Sequence, residues 1–213
     1  ASELAYFGSK ILHPRTSEPL RKKNIPIRIL NINNTDKGID PLTIINGKEK
    51  VSESIVKSVS YSDHFGLLKL KGSGVGINPG ILAKSTACLD KAGINIKSVI
   101  TWQTCINILL SDDDLHVVNN AIRANEIHGI SDVETVEDIS LIAAVGEGLT
   151  SRYGVAGRIF TAVAKRGINI EIICFGASSV AMYFIVNRND RNETVRAIHK
   201  EFFHSEVCCE VCV

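Results

Sequence analysis

The chain of 213 residues has one methionine, one tryptophan and only 6% aromatic residues. So few aromatics leave little on which nucleobases could stack. Neither sign of charge is in excess: 24 Lys and Arg stand against 23 Asp and Glu, a formal net charge of +1. That balance removes the electrostatic basis for binding nucleic acid or an anionic membrane surface. No apolar run approaches the roughly 20 residues that a membrane-spanning helix needs. The opening ASELAYFGSK has no initiator Met and no signal-peptide pattern. It reads as the middle of a helix, so a piece of a longer, cytoplasmic protein is expected. What is present suits a globular protein: 45% hydrophobic and 22% charged residues.

Six cysteines would allow a disulfide framework, but their placement argues for reduced thiols. Cys88, Cys105 and Cys174 lie within apolar, periodic segments. Cys208, Cys209 and Cys212 crowd the tail as CCEVC. Cys209 and Cys212 have the spacing of a metal-carrying CxxC. In an extended strand, however, residues three apart point to opposite faces. A tail strand with Val207, Cys209 and Val211 on one face is the preferred reading, and no metal site is expected.

The strongest internal signal is a repeat. GINI occurs at Gly93–Ile96 and again at Gly167–Ile170, 74 residues on. The same shift places Gly72, Gly74 and Gly80 on Gly146, Gly148 and Gly154, and Lys91 on Lys165, without a gap. Matched glycines constrain backbone more than side chain, which points to one fold built twice.

Each copy reads as βαββαβ. In the first, FGLLKLK predicts a strand over Phe65–Lys71. Pro79 and Gly80 open a helix with a period near 3.6, in which Ser85 fills the one polar core turn, and Gly93 stops it. INIKSVIT and TCINILL predict two further strands. SDDDLHVVNNAIRAN predicts a helix with acids at its start, and DVETVED a last short strand. In the second copy ISLIAAVG, INIEIICF and SVAMYFIV predict strands. GVAGRIFTAVAKRG and DRNETVRAIHKEFF predict helices, and EVCCEVCV a tail strand. The fold class is therefore α+β, with tandem ferredoxin-like units. A spare strand at Ser54–Tyr61 competes with the tail for the fourth place in the second sheet, and the sequence leaves that order open.

Ahead of the repeats, SELAYFGSKIL predicts a helix, HPRT a turn in which His13 is structural, and SEPLRKKN a short helix. IPIRILNI alternates as a strand. The polar, turn-rich stretch that follows reads as a junction, with LTII as a brief strand inside it.

The glycine-rich turns GSGVGINPG and GEGLTSRYG each precede a helix. Backbone N–H groups and the helix dipole there can hold a carboxylate. Two such turns in one chain suggest paired units that sense small molecules.

These stretches resemble a known family. GVAGRIFTAVAKRGINIEII is similar to the second ACT domain of aspartate kinases, and NPGILAKSTACLDKAGINIKSVIT to the first. The opening ASELAYFGSKILHPRTSEPLRKKNIPIRILN is similar to the end of the amino acid kinase domain of those enzymes. The resemblance implies a C-terminal fragment of an ATP- and Mg-dependent kinase of the aspartate side-chain carboxylate. Residues 1–48 would be a remnant of the α/β kinase domain with a linker. Residues 49–136 would be the first ACT domain, with a leading strand that can pair in the second, and 137–213 the second ACT domain.

The same resemblance implies nucleotide contact by Lys10 and Ile11. The glycine-rich start and the substrate-binding segments of the family's kinase domain are absent, so the fragment alone should be inactive and hold no cofactor.

The resemblance further implies a homodimer through the ACT domains and an amino-acid effector of the lysine or threonine class. The implied effector residues are Ile77, Asn78, Pro79, Gly80, Thr101, Thr104 and Asn107. The sequence departs from the family where a Gln is common, at Thr101 and Phe175. It departs again where lysine-sensing members often carry acids, at Lys97 and Cys105. Asn107 in the first copy corresponds to Ala181 in the second, which favours the first copy as the ligand site. The alternative is an ACT-type dimerisation module without an effector.

Overall fold

In the computed structural model the described residues are 5, 12–13, 16–31, 43–47 and 55–203. Of the helix expected at the opening only Ala5 is described, and Lys10, Ile11 and the tail strand with its three cysteines lie outside the described residues. Helix α1 (Ser17–Lys22) carries Glu18 in its first turn and Arg21 and Lys22 in its last, as the helix dipole favours. Strands β1 (Ile27–Ile29) and β2 (Thr43–Ile45) pair antiparallel, with Arg28 opposite Ile44.

The described chain divides into two compact units, of which one takes Ser62–Leu141 with Asn187–Asn189. This first unit contains β4 (Gly66–Lys71), α2 (Ile81–Lys91), β5 (Ser98–Thr101), β6 (Cys105–Leu110), α3 (Leu115–Ala124) and β7 (Asp132–Val136). Its sheet order is β5-β6-β4-β7, the ferredoxin-like arrangement. Alternation along the strands puts Leu68, Leu70, Ile106, Ile108 and Leu110 in one core with Ile81, Leu89, Leu115, Val118 and Ile122 of the helices. Ser85 lies in the same helix face, fully buried, and its hydroxyl donates to the Ile81 carbonyl at 2.9 Å. A buried hydroxyl is tolerated there because that bond satisfies it.

β5 starts four residues later than INIKSVIT predicts. The segment before it completes a helix stop instead. Gly93 N–H donates to Asp90 O at 2.9 Å and Ile94 N–H to Leu89 O at 3.0 Å, with Gly93 at φ +71°. These are the two bonds of a Schellman cap, and only glycine adopts that φ without strain. The equivalent Gly167 has φ +70° and donates to Ala164 O at 2.9 Å, and β9 is likewise short. The repeated GINI is thus first a helix terminator and only then the approach to a strand.

The second unit contains α4 (Val155–Ala164), β9 (Ile172–Cys174), α5 (Arg191–Phe203) and the greater part of β8 (Ile139–Val145) and β10 (Ala181–Asn187). Its sheet order is β3-β8-β10-β9, where β3 is Ser58–Ser62. The fourth strand therefore comes from the segment ahead of the first unit, and the first unit is inserted between β3 and β8. Ile142, Ala144, Met182, Phe184 and Val186 pack against Val155, Ile159, Val163, Ile198 and Phe202. Phe160 meets Phe184 edge to face, with ring centroids 5.8 Å apart.

The repeat extends to this fourth strand. Ser131 N–H donates to Lys71 O at 2.8 Å in the first unit, and Lys57 N–H donates to Val145 O at 2.8 Å in the second. Both partners differ by 74. β3 stands one period before β7 and occupies the same place in its own sheet.

Candidate functional site

In the first unit the glycine-rich loop after β4 is joined to the turn between β5 and β6. Gly72 N–H donates to Thr104 O at 2.9 Å and Gly76 N–H to Gln103 O at 2.8 Å. Trp102 N–H closes that turn on Cys105 O at 2.7 Å. Within the loop, Ile77 and Asn78 N–H both donate to Gly74 O, at 3.1 and 2.8 Å. Those amides are spent. Pro79 has none, and Gly80, at φ +85°, leads into α2. The first amides of α2 then point outward without intrahelical acceptors. They are the donors an anionic group would meet.

Ile77 is 78% exposed and Trp102 75%, so two large apolar side chains flank this loop in solvent. Pro79, Gly80, Thr101 and Thr104 are exposed, and Asn78 is half-buried. The two hydrogen bonds between loop and turn bring Ile77, Asn78, Pro79 and Gly80 beside Thr104 and the end of β5.

Asn107 stands elsewhere. It pairs with Lys69 and Ile100 in the ladder, whereas Thr101 pairs with the core residue Ile106. Strand alternation therefore puts Thr101 on the helix side of the sheet and Asn107 on the open side. Beside Asn107 the Cys105 thiol donates to its Oδ1 at 3.6 Å. On the same side Lys71 ion-pairs with Glu134, and Asp132 lies 3.9 Å from the Lys71 ammonium. The hydrogen bond to Glu134 raises the Lys71 ammonium above its ordinary pKa. The same bond holds the Glu134 carboxyl below its own. Burial pushes the Cys105 thiol up, against a lowering by Lys71 and Lys69. Lys69, Lys71, Cys105, Asn107 and Glu134 form a polar band, not an acidic one.

A cavity of about 390 Å³ opens in the second unit. It is lined by Ser151, Arg152, Tyr153, Gly154 and Phe175, with Leu149, Thr150 and Ala156 completing the wall. The first five are Ile77, Asn78, Pro79, Gly80 and Thr101 displaced by 74. Ala181, the counterpart of Asn107, does not line it. The sequence pointed to the first copy through Asn107, but the cavity depends on the loop, the helix start and the end of the edge strand. The signal that could have found it is the composition of GEGLTSRYG. There Arg152 and Tyr153 replace Asn78 and Pro79, and Phe175 replaces Thr101 across from them.

Among the described residues, no group of three or more His, Cys, Asp or Glu is placed to hold a metal. No described helix is long and apolar enough to cross a membrane. Cys88, Cys105 and Cys174 are free thiols.

Residues 142–202 match the ACT domain family. The bifunctional aspartokinase/homoserine dehydrogenase of Haemophilus influenzae is 30% identical over 214 residues, covering 97% of this chain and 26% of that protein. The chain spans 23–37% of the length of the curated relatives it matches first. Among solved structures, the ligand-free regulatory subunit of aspartate kinase from Thermus thermophilus superposes with a TM-score of 0.62 at 28% identity, over 70% of this chain and 98% of that one. Aspartokinase III of E. coli in complex with lysine and aspartate, in its T-state, superposes with a TM-score of 0.71 at 25% identity, over 95% of this chain and 44% of that one.

Proposed function

The chain carries an aspartokinase-type regulatory ACT region, and from that premise we propose that it senses an aspartate-family amino acid, of the lysine or threonine class, and sets the activity of a kinase domain by feedback. The observation that carries this reading is the first unit's loop. It is hydrogen-bonded to the β5–β6 turn through Gly72 and Gly76 and presents the open start of α2. A carboxylate would lie against the α2 amides beyond Pro79 and Gly80. Thr101, Thr104 and nearby carbonyls would meet the ammonium, with Ile77 and Asn78 bordering the ligand. The lysine-bound state of the E. coli enzyme supports the choice of effector class.

The parent enzyme, in this reading, is a cytoplasmic kinase that transfers the ATP γ-phosphoryl group to the aspartate side chain with Mg. Residues 1–48 close its kinase domain, and Lys10 and Ile11 touch the nucleotide. The chain alone is inactive, because phosphoryl transfer needs phosphate-binding and charge-neutralising groups from the rest of that domain. Control follows from differential binding. A ligand held better by one conformation of the regulatory region shifts the population toward it. Couplings of about 1–3 kcal/mol change affinity or activity several-fold.

A second reading, a dimerisation module without effector, is favoured by the edge strands. Val99 on β5 is 36% exposed and Ile173 on β9 48%, both apolar, and among the described residues neither strand has a partner on its outer side. Thermal unfolding of the chain with each common amino acid separates the two. A true effector at 100 times its Kd stabilises by about 2.7 kcal/mol. A pure dimerisation module gives no shift with any of them.

A further inference from the structure

The repeat is broken at one corner. Arg188 follows β10 in a short 3-10 turn, Arg188–Asp190, yet Asn187–Asn189 belong to the first compact unit. There Arg188 meets both connections of the inserted stretch: the segment that leaves β3, at Asp63, and the one that returns to β8, at Asp138. Its backbone N–H donates to Asp138 O at 2.7 Å, and its Nη2 donates to Asp63 O at 3.1 Å. The Asp63 carboxylate is fixed in turn, accepting from the hydroxyl of the fully buried Ser140. Nη1 also lies 3.8 Å from the Asp138 carboxylate, whose side chain is 82% exposed. An ion pair so open to solvent contributes little. The grip therefore lies in the hydrogen bonds to main-chain carbonyls, of which the one from the guanidinium is strengthened by its charge. Asp138 itself is held at φ +54°, in the left-handed region. One period earlier the first copy has Asp114 in place of Arg188 and His64 in place of Asp138. A carboxylate cannot donate to a carbonyl, so Asp114 cannot make the same side-chain bond. Arg188 serves the insertion, not the repeated fold.

We propose that Arg188 is a positioning residue, a clasp that ties the outgoing and returning connections together and carries the state of the inserted unit to the rest of the chain. Both connections are held by one residue, so a shift of either is felt by the other. On two independent tethers, a ligand bound to the inserted unit would gain little leverage on an attached domain. Control at a distance needs an element with two arrangements that both sites bias. The clasp is such an element, closed when both carbonyls are gripped and open when Asp63 is released. The regulatory role rests on the effector reading for the first unit, whereas the clasp itself does not.

The first test is amide hydrogen exchange of the chain, read by nuclear magnetic resonance. In Arg188→Gln the amides at the start of β4 and at the start of β8 should both exchange about tenfold faster. Amides in the middle of α2 and α4 should stay as they are, which shows both units folded. Should Arg188→Gln not fold, Arg188→Lys keeps the charge and loses the planar fork, and should speed the same amides about threefold. Asp138→Asn tolerates the same backbone and removes only the exposed charge, so it should change nothing. Unchanged exchange at both strand starts, a change at only one, or an equal change in Asp138→Asn overturns the clasp. The second test uses the full-length kinase with saturating L-lysine or L-threonine. Inhibition of Arg188→Gln should be about fivefold weaker or less than that of the unaltered enzyme. Uninhibited turnover, and the calorimetric Kd of the chain for that amino acid, should stay within about twofold. Equal inhibition of both enzymes, or loss of binding together with inhibition, overturns the signalling role. If neither amino acid inhibits the unaltered kinase, the effector reading fails and the exchange rates alone decide the clasp.

Discussion

The Ile55 carbonyl fills the space that a Cβ on Gly146 would need, and the Gly129 carbonyl does the same at Gly72. Both pairs are related by the 74-residue shift. They mark where the fourth strand closes against the first in each sheet. Glycine is required because a backbone carbonyl, unlike a side chain, cannot turn aside.

Gly146→Ala should therefore destabilise the second unit by about 2–3 kcal/mol, the scale of an overpacked core. Gly157, inside α4, has nothing within 4 Å of a Cβ. Gly157→Ala should stabilise by about 0.5–1 kcal/mol through helix propensity alone. Urea unfolding of the two variants, followed by circular dichroism, should move the second unit's midpoint in opposite directions.

The Cys105 thiol should react slowly with iodoacetamide at pH 8. Burial raises its pKa, so less thiolate is present than on an ordinary exposed cysteine. Lys71 and Lys69 oppose that rise. Lys71→Met removes one lowering charge and leaves Glu134 uncompensated, so alkylation should slow further. For a thiol whose folded pKa is raised, the stabilising contribution is complete below the unfolded value, about 8.5. It is lost as pH rises through the folded one. Peptide mass spectrometry of the Cys105 fragment gives the rate, and faster alkylation in Lys71→Met would reverse the assignment.

Thr101 and Asn107 lie on opposite faces of the first unit's sheet, so feedback separates them. In the full-length kinase, Thr101→Ala should raise the effector concentration for half-inhibition about tenfold, or about 1.4 kcal/mol, whereas Asn107→Ala should leave it near its original value. Uninhibited turnover should stay near its original value. An effect of Thr101→Ala alone would confine the effector to the helix side. Loss of turnover with inhibition intact would make the residue structural.

The open outer edges of β5 and β9 predict association of copies. At micromolar concentration the chain should sediment at about twice its 23.2 kDa, as a symmetric dimer. Val99→Lys and Ile173→Lys place charges on those edges and should shift it toward monomer. A clean monomer in the unaltered chain would remove the dimer.

Much of the fold follows from local rules acting on local sequence. Apolar alternation in LLKLK and CINILL and the 3.6 period from Ile81 to Leu89 are satisfied within one element, and they appear where they were expected. Ser85 was legible as a core position because periodicity demands a buried residue there whatever its type. The GINI strands were read too long, because Gly93 and Ile94 are spent on ending a helix. That cost is visible only once the carbonyls of Leu89 and Asp90 have taken their partners.

The sequence by itself determined that one βαββαβ unit is built twice, because the repeat resides in glycine positions and core periodicity. It also located the loops that precede the two helices. Only the tertiary structure decided that Ser58–Ser62 is the fourth strand of the second sheet. Strand pairing is non-local, and either candidate had an acceptable pattern. The tertiary structure likewise placed Thr101 and Asn107 on different faces, since a side chain's direction depends on its partner strand's register. It put the cavity in the second unit, where Arg152, Tyr153 and Phe175 stand at positions that are Asn78, Pro79 and Thr101 in the first. The backbone repeats because the same glycines and core spacings recur. The side chains around those loops do not, because the repeat leaves their volume and charge free to differ.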